Sequence, residues 1–155
     1  MTSSPALPEA LRAPLSTNVA LLLESRIPAR IAWVAADGTP RVAPIWFAWT
    51  GTELVMSTFA GSRKTADLRD GTIVAATIDT DDFPYRSISI RGPITLQSSA
   101  GLSADYTSAA DRYLGAHLAE RWLDFVGSPD QVVMALQPTM AVASDLGAQS
   151  GFFTD

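Results

Sequence analysis

Short apolar runs separated by turn-forming residues follow one another along the chain, a pattern typical of antiparallel β proteins. Two runs, at 29–35 and 40–49, flank Asp37-Gly38, which is a strong signal for a β-hairpin turn. A third run at 53–58 follows a second turn, so we expect the first three strands to form an antiparallel meander. Later runs raise the predicted count to six strands; they lie at 72–79, 86–97 and 131–136.

The run at 40–49 is apolar on both faces of the predicted strand. Because side chains alternate along a strand, Val42, Pro44 and Trp46 share one face, while Ala43 and Ile45 share the other. Both faces are therefore expected to be covered. Pro44 has no N–H to donate, which predicts that its strand lies at a sheet edge or is interrupted there.

Three segments between the strands show helical patterns. Residues 16–26 contain helix formers without a breaker, and Ser16 or Thr17 is suited to cap the helix. A short helix is predicted to begin at Ser62, another good capping residue. Residues 99–127 are helical by pattern, with an apolar stripe at Leu114, Leu118, Trp122 and Phe125.

The chain of 155 residues has the length of one domain. We expect a flexible N-terminal arm at 1–14, one folded domain at 15–146, and a C-terminal tail at 147–155, with room for one short strand in the last 15 residues. Gly92-Pro93 predicts a bulge or kink in the fifth strand. The strand count and the late helices predict a mainly β fold, a six-stranded antiparallel Greek-key β-barrel with flanking helices.

Composition excludes several classes of protein. The chain contains no cysteine, which excludes disulfides and thiolate metal sites, and its single histidine, His117, argues against a zinc site. The net charge of −5 lacks the surplus of Lys and Arg that nucleic-acid binding needs. No apolar run reaches the roughly 18–20 residues of a membrane span, and we find no signal-peptide core. We therefore expect a soluble cytoplasmic protein without membrane or nucleic-acid partners.

The segment from Ser57 to Lys64 carries the clearest chemistry. A strand ends in Ser57-Thr58, a glycine loop follows, and a helix then opens with Ser62, Arg63 and Lys64, the only lysine in the chain. Two cations at a helix start are unfavourable, because the N-terminal end of the helix dipole is also positive. An anion bound between them would offset this repulsion. The pattern favours a phosphate site, while a capped surface helix with two solvated cations is the alternative. Arg41 would join the site if its strand lies alongside.

The runs STFAGSRK, DGTPRVAPIWF and RSISIRGPI resemble the pyridoxamine 5′-phosphate oxidase-like, FMN-binding split-barrel superfamily. The resemblance covers residues 27–97 well and continues weakly to about 146. It implies a split barrel, an FMN cofactor and a homodimer with the flavin at the subunit interface. It also implies that the protein is a flavin-dependent oxidoreductase that passes hydride between flavin and an unidentified small molecule.

The resemblance implies a set of cofactor-binding residues. In proteins of this family, the segment that corresponds to Ser62–Lys64 holds the FMN phosphate. The arginine that corresponds to Arg41 also contacts this phosphate. The strand onwards from Arg41 runs along the ring system, and the strand end at Ser57-Thr58 adds further contacts. The expected set is Arg41, Val42, Ala43, Pro44, Ile45, Trp46, Ser57, Thr58, Ser62, Arg63, Lys64 and Ser87.

The chain departs from the true vitamin B6 oxidases at two points. It lacks their C-terminal Arg-x-His element, which grips the substrate, and Ser87 stands where they carry a larger amide that contacts the cofactor. Oxidation of pyridoxamine phosphate is therefore not expected, and residues 104–146 are expected to set substrate choice. No catalytic acid or base is identified.

Two alternatives stay open beside an FMN oxidoreductase. One is a reductase that uses the 8-hydroxy-5-deazaflavin coenzyme, and the other is a flavin-binding or carrier protein without catalysis. Some members of the superfamily bind haem, but a lone helical histidine such as His117 is usually a surface residue, so we do not expect haem here. The acidic turn at 79–82 lacks the calcium-loop pattern, and no metal site is expected.

Overall fold

The computed structural model of the protein describes residues 6–149, without the side chains of residues 148 and 149. A 3₁₀ turn at Glu9–Leu11 precedes the first helix. The strands are β1 Ala29–Val34, β2 Pro40–Ile45, β3 Phe47–Trp49, β4 Leu54–Phe59, β5 Ile73–Asp79, β6 Arg86–Ser99, β7 Gln131–Leu136 and β8 Met140–Asp145. The helices are α1 Thr17–Glu24, α2 Arg63–Asp67, α3 Ala104–Leu114, α4 Ala116–Val126 and α5 Leu146–Gln149.

The strands form one curled antiparallel sheet in the order β2-β1-β5-β6-β7-β4-β3, and β8 also pairs with β6. The long strand β6 belongs to both halves of this sheet. Its first part pairs with β5 and β8, and its second part, from Ile94 to Ser99, pairs with β7. The fold is therefore mainly antiparallel β with helices, and its curled sheet is consistent with a split barrel.

The predicted strand at 40–49 is in fact two strands that separate at Trp46. β2 pairs with β1, whereas β3 pairs with β4 at the opposite end of the strand order. The predicted three-strand meander is wrong for this reason, since the chain crosses from one half of the sheet to the other. This crossing and the additional strand β8 raise the count from the predicted six strands to eight. Pro44 lies on the edge strand β2, as its missing N–H predicted.

The ladder between β5 and β6 continues in unbroken register through Gly92 and Pro93, so the predicted break of the ladder and its bulge are absent there. They mark the place where the strand changes partners: Gly92 pairs with Val74 of β5, and Ile94 pairs with Leu136 of β7. The main chain of Gln137 approaches so closely that a Cβ on Gly92 would overlap its carbonyl oxygen. The glycine therefore allows three chain segments to meet at one point.

One apolar core fills the concave side of the curled sheet. Burial alternates along β5: Val74, Ala76 and Ile78 point inward, while the residues between them are partly exposed. Both halves contribute fully buried side chains, among them Ile31, Phe47, Leu54, Met56, Ile88, Ile90, Met134 and Leu136.

The helices follow the predictions in part. Ser16 caps α1, because its hydroxyl accepts a hydrogen bond from the Val19 N–H. The predicted helical region 99–127 is two helices, which Gly115 separates with a positive φ of 78°. The apolar stripe is not a buried seam, since Leu118 is 48% exposed and Phe125 is 81% exposed.

The segment predicted as a flexible arm contains a residue that is buried in the core. Leu11 of the 3₁₀ turn is 1% exposed and belongs to the core cluster. Residues 1–5 and most of the predicted tail, from 150 onward, lie outside the described residues. The proposed domain boundaries remain predictions. No helix in the described part of the chain is long and apolar enough to cross a lipid bilayer.

The close approach at Gly92 makes a prediction about stability. We expect Gly92→Ala to lower the free energy of unfolding by at least about 2 kcal/mol, because the added methyl group must displace the main chain of Gln137. Thr95→Ala, an exposed change on the same strand, should alter it by less than about 0.5 kcal/mol. Urea unfolding of the three proteins measures both; equal stability of the two variants would contradict the tight crossing.

Candidate functional site

A cavity of about 490 Å³ lies between the edge strand β2 and the start of α2. It brings together the cations that the sequence placed at a phosphate site, Arg41, Arg63 and Lys64. We call it the cationic cavity. Its other lining residues are Trp33, Val42, Ala43, Ala66 and Asp67.

The cations of this cavity differ in their partners. Arg63 and Lys64 take part in no ion pair within residues 6–149, so their charges are available to a ligand. Arg41 lies 3.5 Å from the carboxylate of Asp37 on the exposed hairpin. Hydrogen bonds from Thr39, with a smaller effect of Arg41, hold the pKa of Asp37 below its usual value. This surface pair is weak, so an anion in the cavity would compete for Arg41.

One carboxylate also lines the cationic cavity. The indole N–H of Trp33 donates a hydrogen bond of 3.1 Å to Asp67, the last residue of α2. This bond joins the short helix to β1 beneath the cavity. The cations outnumber the carboxylate three to one among the lining residues, so the cavity as a whole favours an anion.

Ser62 stands at the predicted cap position of α2, but its hydroxyl does not cap the helix. It accepts instead a hydrogen bond of 3.3 Å from the hydroxyl of Thr58 at the end of β4. Two of the predicted hydroxyl residues therefore lie side by side at the loop that carries Arg63 and Lys64. Gly61 makes this turn possible with a φ of 78°.

A second cavity, of about 340 Å³, adjoins the other end of β2. We call it the aromatic cavity, because three of its lining residues are Trp46, Tyr106 and Trp122. The predicted site residues Pro44, Ile45 and Ser57 also line it, together with Pro28. The predicted set thus divides along β2, with residues 41–43 in the cationic cavity and residues 44–46 in the aromatic cavity.

Trp46 is the centre of an aromatic cluster. Its ring stacks on Tyr113 at a centroid distance of 5.2 Å and lies 5.7 Å from Tyr106 and 6.3 Å from Trp122. Sequence reasoning missed Tyr106 and Trp122 as site residues. Trp122 belonged to the apolar stripe, which signalled an apolar helix face but not that Tyr106 and Trp122 pack against Trp46.

Besides lining the aromatic cavity, Ser57 takes part in a buried hydrogen-bond network. Its hydroxyl lies 3.0 Å from that of Ser103, which also accepts a hydrogen bond from the Tyr106 N–H and caps α3. The Ser103 N–H donates to the side-chain oxygen of Gln131. This network joins β4, β7 and α3, and it positions Tyr106 over the cavity.

Ser87 lies apart from the other predicted residues. It lines a separate small cavity of about 130 Å³ with residues of α1 and β8. It pairs with Asp79 and Ser144 on the outer face of the sheet. Within one chain, the structure does not bring Ser87 to the cationic cavity or to the aromatic cavity.

The sequence profile of the pyridoxamine 5′-phosphate oxidase family matches residues 15–143, which is most of the chain. The chain belongs to this family. No curated protein matches the sequence. The family membership that we expected from the sequence is therefore confirmed. The edge strand β2 carries Arg41, and α2 carries Arg63 and Lys64, as the resemblance implied.

Solved structures of similar proteins show the same fold. An F420 reductase is 28% identical, with 78% of this chain and 93% of that chain covered and a TM-score of 0.62. A conserved hypothetical protein from Mycobacterium tuberculosis is 19% identical, with 90% of each chain covered and a TM-score of 0.64. An FAD- and haem-binding protein from Mycobacterium smegmatis is 22% identical, with 84% of this chain and 71% of that chain covered and a TM-score of 0.56.

His117 does not take part in the site of this family member. It is an exposed residue near the start of α4 and lines neither the cationic nor the aromatic cavity. The polar and aromatic side chains that line these two cavities are three cations, the carboxylate of Asp67, the hydroxyls of Ser57 and Tyr106, and aromatic rings.

The buried network around Ser103 makes a prediction about stability. Ser103→Ala removes the cap of α3 and a hydrogen-bond partner of buried Ser57, so we expect a loss of about 1–2 kcal/mol in the free energy of unfolding. Ser98→Ala, at an exposed position near the end of β6, should cost less than about 0.5 kcal/mol. Thermal and urea unfolding test both changes, and an unaltered Ser103→Ala protein would contradict the network.

Proposed function

We propose that the protein is an FMN-dependent oxidoreductase that transfers hydride between its flavin and a small molecule. The observation that carries the proposal is the cationic cavity, where Arg63 and Lys64 lie beside Arg41 and form no ion pair with any carboxylate of residues 6–149. A phosphate monoester carries a charge of about −1.5 to −2 near neutral pH, which these cations offset. Membership in the pyridoxamine 5′-phosphate oxidase family supports flavin as the group attached to that phosphate.

The donor set fits FMN at both ends. Arg63, Lys64 and the neighbouring hydroxyls of Ser62 and Thr58 would hold the phosphate. The outer edge of β2 carries main-chain groups that pair with no other strand of the described chain, and these would face the polar edge of the ring. When bound, FMN supplies the hydride chemistry, while the protein contributes binding and orientation.

A homodimer would account for the position of Ser87. The outer face of the sheet carries exposed apolar residues, among them Val42 at 69% and Val142 at 58%, beside the ion pair between Arg30 and Asp79. Ser87 and Pro44 lie on this same face, because each is paired in register with its outward-facing neighbours. A second copy packed here would cover the apolar residues and carry its Ser87 toward the partner's edge strand. Two-fold pairing is also the commonest form of oligomer.

A second candidate is a reductase that uses the 8-hydroxy-5-deazaflavin coenzyme F420. The specific observation in its favour is the F420 reductase that resembles this chain at 28% identity. That coenzyme also carries a phosphate, so the same cations would serve it. Mass spectrometry of the small molecule released from protein purified in its native host distinguishes the two. Assays of turnover with reduced nicotinamide and candidate acceptors distinguish an enzyme from a flavin carrier, because a carrier without catalysis would show no turnover.

The cationic cavity makes a prediction about affinity. Replacing Arg63 and Lys64 together by Ala should weaken FMN binding by about 3–6 kcal/mol, or roughly 10²–10⁴-fold, because two charge-assisted hydrogen bonds are lost. Riboflavin, which has no phosphate, should bind the variant as it binds the parent. Isothermal titration of both ligands measures the difference.

Arg69→Ala is the matched control for this experiment. Arg69 is an exposed cation just after α2 that donates to the carbonyl oxygens of Thr65 and Leu68 and does not line the cavity. Its removal should leave FMN affinity within about threefold of the parent. Full FMN affinity in the double variant would show that the phosphate binds elsewhere.

The proposed dimer can be tested by a charge on its interface. We expect Val142→Glu to convert the dimer to a monomer, because a carboxylate would be buried against the second copy. Phe125→Glu, which places the same charge on the exposed face of α4, should leave the dimer intact. Sedimentation equilibrium at micromolar concentration measures both. Dissociation by Phe125→Glu alone would assign the interface to α4 instead.

A further inference from the structure

A further cavity, of about 350 Å³, lies between α1, β3 and α3. We call it the interhelical cavity. It shares no lining residue with the cationic cavity or with the aromatic cavity. Its volume falls within the roughly 300–1,000 Å³ that is typical of small-molecule sites. The function proposed above makes no use of this cavity.

One acidic and one basic side chain line the interhelical cavity, Glu24 of α1 and Arg112 of α3. They do not form an ion pair with each other, and neither forms one with any other group of residues 6–149. An ion of one sign would be attracted by one of these side chains and repelled by the other. A ligand that carries both charges can be attracted by both.

The guanidinium of Arg112 is held in place by main-chain and aromatic contacts. It donates hydrogen bonds to the carbonyl oxygens of Leu23 and Phe47, the first at 3.2 Å. Its central carbon lies 4.7 Å from the ring centre of Phe47 and 4.8 Å from that of Tyr113. The two hydrogen bonds use two of the five N–H donors of an arginine, and the others have no acceptor among residues 6–149. Arg112 is therefore a fixed cation with donors left for a carboxylate.

The remaining walls of the interhelical cavity are mostly apolar. Leu23 is buried, while Leu15 and Trp49 are partly buried and pack against the core. Ala20 and Ala48 are among the small side chains that line the space between them. An apolar group of a ligand would remove these surfaces from water, which favours its binding.

We propose that the interhelical cavity binds an α-amino acid with an apolar side chain. Arg112 receives the carboxylate of the amino acid, and Glu24 receives its ammonium group. The side chain of the amino acid lies against Leu15, Leu23 and Trp49. A free α-amino acid carries both charges at neutral pH, so it satisfies the acid and the base of the cavity together.

The test measures the binding of L-leucine and of two analogues that each lack one charge. 4-Methylpentanoate lacks the ammonium group, and 3-methylbutylamine lacks the carboxylate. We expect L-leucine to bind with a Kd of about 1 mM or tighter and each analogue to bind more weakly, the amine by at least about tenfold. NMR titration of the isotope-labelled, full-length protein measures the affinities, and the main-chain amides of α1, β3 and α3 should shift most. The amine tests Arg112 without a substitution that would break its bonds to the main chain.

Two variants test the side chains of the cavity. Glu24→Gln keeps the size of the side chain and should weaken L-leucine about two- to fivefold, as expected for a solvent-exposed ion pair, without weakening 4-methylpentanoate. Ser108→Phe, at an exposed position that lines the cavity, should fill the space and abolish binding. Asp111→Asn is the matched control, because it removes a carboxylate beside Arg112 that does not line the cavity. Its affinity for L-leucine should equal that of the parent.

Several results would overturn the proposal. Equal affinity for L-leucine and 4-methylpentanoate would show that Glu24 does not receive an ammonium group. Binding that survives Ser108→Phe, or the absence of binding at about 10 mM L-leucine, would show that the cavity does not hold the amino acid. Protein saturated with FMN should bind L-leucine as the flavin-free protein does, because the cavities share no lining residue. Competition with FMN would overturn the proposal and leave the proposed function standing.

Discussion

The architecture depends on one strand, β6, that both halves of the sheet share. The strand changes partners at Gly92, where the main chain of Gln137 passes too close for any side chain. Beyond this point β6 pairs with β7, and β7 in turn pairs with β4, which carries Ser57 and Thr58. The short α2, which follows β4 in the chain, lies beside β2 across the cationic cavity. This is so although β4 and β2 belong to opposite halves of the sheet.

The crossing at Trp46 gives the candidate site its two chemical regions. Before it, β2 lies at the edge of one half and faces Arg63 and Lys64. At the crossing, the chain turns inward and Trp46 enters a cluster with Tyr106, Tyr113 and Trp122. A single strand therefore leads from a polar, cationic region to an apolar, aromatic one.

Much of the site was predictable because its residues are close in sequence. Ser62, Arg63 and Lys64 form one segment, and their presence at a helix start follows from local propensity. Arg41 was predicted to join them only if its strand lay alongside, and the cavity shows that it does. Tyr106 and Trp122 were not predictable, because their place depends on how α3 and α4 pack against Trp46, which is far away in the chain. Ser87 was predicted from family resemblance; within one chain it lines a separate small cavity, and its role stays a prediction.

The sequence by itself determined the antiparallel β character, most strand positions, the cap of α1 and the cationic segment, since each follows from short-range alternation, turn chemistry or charge. Only the tertiary structure decided where the strand at 40–49 divides, how β6 serves both halves, and which helix face is exposed. These features depend on contacts between residues far apart in the chain. Phe125 belongs to the apolar stripe of the helical pattern, yet it is 81% exposed.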